Sequence, residues 1–130
     1  MTDTYIYLIR ENDWDSDKYL PGADRPDAAD AEATFSEHKA FQEAVAELGA
    51  RVVGGNALQS ASYGGVVTPG EGPKQVENAV YTDSPYADSS DLITGFYAVE
   101  VEDEVTARKV AALVPTGGTI EWRKVFPTTS

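Results

Sequence analysis

The chain has no cysteine and one histidine among its 130 residues. The first absence excludes disulfides and thiolate metal sites, and a lone His38 excludes a multi-histidine metal centre. Bases are scarce as well: 10 Lys and Arg stand against 22 Asp and Glu, for a formal charge of −12. Such a field repels phosphate backbones and anionic bilayers, so neither a nucleic-acid nor a membrane partner is expected. No apolar run reaches membrane-spanning length, and Met1-Thr2-Asp3-Thr4-Tyr5 carries no basic or apolar leader region. A cytoplasmic protein with no metal and no cofactor is the expectation. The acidic surface fits either solubility or selection for high salt.

What remains suits one domain spanning 1–130. Tyr5-Ile6-Tyr7-Leu8-Ile9-Arg10 is aromatic and β-branched, a first strand with Tyr5, Tyr7 and Ile9 on one face and Ile6, Leu8 and Arg10 on the other. Arg10 ends it, either as an anion holder or in a salt bridge. An acidic loop follows at about 11–33, with Trp14 and Tyr19 available to pack it down. Thr34-Phe35-Ser36-Glu37 has the capping-box form and predicts a helix from there to about Leu48, stopped by Gly49. Phe41, Ala44, Val45 and Leu48 form its buried stripe. His38 shares that side, as a packed core residue or as an acid–base group.

A second strand over 51–58 is bulged at Gly54-Gly55. A loop at 69–73 and a third strand over 75–82 deliver Asp83 to the turn Asp83-Ser84-Pro85-Tyr86. Pro85 fixes its own φ and pushes Ser84 towards extended geometry. Asp83 then either faces a cleft or caps its own turn. A fourth strand over 94–101 leads to a helix capped by Asp103, with Ala107, Val110, Ala111 and Val114 on its apolar face. A last strand over 119–126 alternates Ile120 and Trp122 with Glu121 and Arg123.

Strand, helix, two strands, helix, strand is the split βαβ order of an α+β, ferredoxin-like sandwich with an antiparallel sheet. Two helices cover one sheet face only, yet the strands carry apolar groups on both. A homodimer, sheet against sheet, covers the second face.

Four features in order, His38-Lys39-Ala40-Phe41, Gly54-Gly55-Asn56-Ala57-Leu58, Asp83-Ser84-Pro85-Tyr86 and Gly95-Phe96-Tyr97, resemble a YCII-related protein of the subgroup named for its Asp-Gly-Pro-Phe motif. Ser84 and Tyr86 stand where that motif has glycine and phenylalanine. The resemblance covers nearly all of 5–126. It implies a dimeric α/β barrel of ferredoxin-like subunits and a site whose His38 and Asp83 are catalytic. A small-molecule lyase or isomerase with a His38–Asp83 dyad is then expected, with Arg10, Tyr81, Ser84, Tyr86 and Trp122 near the ligand and Tyr97 as a further aromatic wall. The alternative is a non-catalytic dimer that binds a ligand or a protein, accessory to transcription regulation.

Overall fold

The computed structural model describes residues 2–11, 28–59, 63–82 and 92–127. The main sheet uses β1 (Asp3–Glu11), β2 (Arg51–Ala57), β5 (Leu92–Val101) and β6 (Thr119–Lys124), in the order β2-β5-β1-β6 with every neighbouring pair antiparallel. Two helices, α1 (Ala28–Glu47) and α2 (Glu104–Leu113), complete an α+β arrangement compatible with a ferredoxin-like fold. Two short strands, β3 (Val66–Thr68) and β4 (Val80–Thr82), pair only with each other, in a separate ribbon.

The core lies between the helices and one sheet face. Tyr5, Tyr7 and Ile9 of β1 and Val99 and Val101 of β5 cluster with Phe41 and Val45 of α1 and Ala107 and Val110 of α2. Val45, Val99, Val101 and Val110 are fully buried, and each buried aliphatic contributes roughly 1.5–3 kcal/mol. Tyr7 is fully buried too, and its hydroxyl donates to the Ala107 carbonyl at 2.8 Å. Burial holds that phenol far above its ordinary pKa, so it keeps its proton. Asp103 caps α2, accepting from the Thr106 N–H at 2.7 Å, as its position before the apolar stripe predicts.

Three expectations need correction. The capping box does not start α1, which begins at Ala28 and takes in the end of the expected loop. Ala28-Ala29-Asp30-Ala31-Glu32-Ala33 is rich in strong helix formers, and propensity outweighs the local cap signal there. Leu48 lies beyond the helix, in the turn that Gly49 closes at φ +79°, and is exposed. The expected third strand is only Val80–Thr82. The chain coils through a 3₁₀ turn at Gly72–Lys74 that contains Pro73, and the Asn78 N–H donates to the Lys74 carbonyl at 2.9 Å, which curls the backbone before it extends. β4 therefore borders β3, not the main sheet.

On the opposite sheet face, where no helix packs among the described residues, Ile6 stands beside Ala98 and Leu8 beside Phe96, all half-buried. Arg10, Glu121 and Arg123 rim this patch and pair with one another.

Candidate functional site

Where β2, β5 and the end of β1 meet α1, glycines stand at Gly55 and Gly95 of the sheet. A Cβ on Gly55 would lie 2.8 Å from both the Phe96 carbonyl oxygen and the Tyr97 ring, at φ +157°. Glycine there lets Tyr97 lie against the β2 backbone. Gly95, next along β5, is flanked by the Asn56 carbonyl, which would sit 3.0 Å from an added Cβ. The space left is a cleft of about 260 Å³, lined by Glu11, His38, Gln42, Thr94 and Tyr97 among others.

Each polar group in the wall is set by a specific element. His38 and Gln42 lie four residues apart on α1 and so share a helix face. His38 stands mid-helix, about three turns past Ala28, so the helix end does not govern it. Its Nδ1 is hydrogen-bonded with the Tyr97 hydroxyl at 2.5 Å, and Phe41 packs on the same phenol ring at a centroid distance of 4.7 Å. Burial pushes the imidazole below its ordinary pKa and outweighs the Glu37 and Glu11 carboxylates, which pull the other way. Burial likewise raises the Tyr97 phenol. A neutral ring beside a protonated phenol has two forms: Tyr97 O–H donates to Nδ1 and Nε2 carries the ring proton, or Nδ1–H donates to the phenol and Nε2 keeps a lone pair. One place thus offers an acid or a base.

Glu11 reaches the same cleft from β1. An irregularity in the β1–β5 register between Ile9 and Arg10 leaves Thr94 as an extra residue on β5. Thr94 is buried, and its hydroxyl donates to Glu11 Oε1 at 3.0 Å. The Gly117 N–H donates to Oε2 at 3.4 Å.

Of the residues expected at a site, the structure brings His38 to the cleft. Asp83, Ser84 and Tyr86 lie outside the described residues, as do Trp14 and Tyr19. Tyr81 is on β4 of the separate ribbon, 71% exposed. Arg10 turns to the other sheet face and pairs with Glu121 at 2.6 Å. Trp122 packs on Tyr5 at the core margin, with ring centroids 5.7 Å apart. Sequence reasoning missed Glu11, although it follows Ile9 by two on the core-facing side of β1. It placed Tyr97 in a pocket wall without pairing it to His38.

Among the described residues no group of three His, Asp or Glu side chains could hold a metal, and no helix is long and apolar enough to cross a membrane. No protein-family model matches the chain, and no curated protein sequence matches it.

Proposed function

We propose that this protein binds a small metabolite in the cleft and transfers a proton on it, as a lyase or isomerase does, with His38 as the acid–base group. One observation carries the reading: the chain's single histidine lines a cleft of small-molecule size and its Nδ1 is engaged by Tyr97. Tyr97 is then a positioning residue. Nε2, which has no partner among the described residues, gives or takes the proton. A lowered pKa keeps the imidazole neutral near pH 7, the state in which one ring serves either role.

The resemblance to YCII-related proteins supports the same histidine and adds Asp83 as a second catalytic residue, one that would act on His38 without displacing Tyr97 from Nδ1. The strand order and the apolar face formed by Ile6, Leu8, Phe96 and Ala98 support two copies meeting sheet to sheet in a dimeric α/β barrel. Sedimentation at low micromolar concentration checks the dimer, and a stable, well-folded monomer removes it. One observation favours the non-catalytic binding module instead: the partner of His38 among the described residues is a phenol, not a carboxylate.

NMR titration of the imidazole tests the assignment. The midpoint is expected below the ordinary value of about 6.5. The folded protein then binds fewer protons than the unfolded chain just below that pH, so stability falls as the solution is acidified and levels once the folded imidazole is charged as well. The midpoint should move in Asp83→Asn, and small carbonyl compounds should shift the ring signals. Identical titration in both proteins removes the dyad. A ring that no small compound perturbs leaves the non-catalytic reading standing.

A further inference from the structure

The strands of the main sheet carry four carboxylates: Asp3, Glu11, Glu100 and Glu121. Three are matched by a cation. Asp3 meets Lys124 at 3.4 Å, Glu100 meets Arg51 at 3.1 Å, and Glu121 meets Arg10 at 2.6 Å and Arg123 at 3.3 Å. Glu11 has no cationic partner among the described residues, and it is the one of the four in the wall of the cleft. The neutral donors Thr94 and Gly117 take one oxygen each. A carboxylate offers about four acceptor sites, so roughly half remain open. The described lining of the cleft contains neither Lys nor Arg.

We propose that the cleft selects a small protonated amine, its ammonium group paired with Glu11 and its apolar part against Ile9 and the Tyr97 ring. This rests on the small-molecule reading given above and adds the charge of the ligand. An ammonium group supplies the missing counter-charge and up to three donors to the open acceptor sites. A carboxylate or phosphate ligand would meet Glu11 with no described cation to offset it. The net charge of −12 draws cations towards the protein and turns anions away. The volume, just below the roughly 300–1,000 Å³ usual for ligand pockets, limits the ligand to a small one.

Three matched probes, benzylamine, benzyl alcohol and benzoate, separate the possibilities on the full chain. Binding is read from the backbone amides of Thr94 and Gly117 and from the His38 ring by NMR. Benzylamine is expected to shift all three saturably and to bind about tenfold or more tightly than either of the others. Glu11→Gln should weaken benzylamine by about ten- to a hundredfold, the range for a hydrogen bond to a charged group, and weaken benzyl alcohol by clearly less. If benzyl alcohol or benzoate binds wild type as well as benzylamine does, the charge assignment is wrong while the small-molecule cleft stands. If no probe perturbs the three reporters, the cleft itself is not a binding site and both readings fall. The ranking on wild type decides the matter even if the variant does not fold.

Discussion

The two ends of the helix-covered sheet face make different use of the same strands. At one end Val99 and Val101 join Val45, Ala107 and Val110 in a fully buried cluster. At the other, a few residues along β5 and across to β2, Gly95 and Gly55 replace side chains with open backbone, and a cleft of about 260 Å³ results. The two ends share the strands β1 and β5, so the glycines and the extra residue at Thr94 separate cleft from core. The polar groups follow: His38, Tyr97, Glu11 and Thr94 gather where the backbone is bare, because a closely packed aliphatic cluster would leave them unsatisfied.

That contrast can be attacked from either end. The largest effect is expected at the packed end, where Val45→Ala removes two methyl groups from a site with no exposure. It should cost about 2–3 kcal/mol in chemical denaturation, and a loss near zero would mean the cluster is not close-packed. Gly55→Ala probes the open end. Its Cβ must displace the Phe96 carbonyl or the Tyr97 ring from 2.8 Å. A cost of about 1–2 kcal/mol is expected, in the range for strained backbone, together with a displaced His38 signal from the moved phenol. If stability and signal both stay put, glycine is not what shapes the cleft. The smallest effect belongs to neither end: Arg51→Ala breaks an edge ion pair to Glu100 whose arginine is 73% exposed. Its loss should stay within about 1 kcal/mol and shrink further in salt.

Much of the frame was legible because it rests on short-range signals. The alternation in 5–10, the burial of Phe41 and Val45 four residues apart, the stop at Gly49 and the Asp103 cap all appear as read, while Ala44 of the expected stripe is only half-buried. The bulge foreseen at the paired glycines is a register shift between Val52 and Gly54. The errors arise where two signals competed. At α1 the alanine-rich run overrode the capping box, and after Pro73 a helical curl took residues that read as extended. The site was less legible for a different reason. Tyr97 and His38 lie 59 positions apart and Thr94 and Glu11 lie 83 apart. No local pattern announces a hydrogen bond across such a separation. Glu11 resembled any other acid of an acidic stretch until the sheet showed that its three counterparts have cations.

The position of β1 also sets an order in time. It is the inner strand beside both β5 and β6, and Tyr5 pairs with Lys124. During synthesis β1 emerges more than a hundred residues before its last partner. At about 5–20 residues per second that wait lasts roughly 5–20 s. For most of that interval, until β5 emerges, its tyrosines and both rows of its backbone hydrogen-bonding groups have no sheet to join. Contacts that close loops of this length also slow folding from the denatured chain. The strand at the centre of the finished molecule is thus the one kept waiting longest, and the hazard of wrong pairing is concentrated there before the cleft exists.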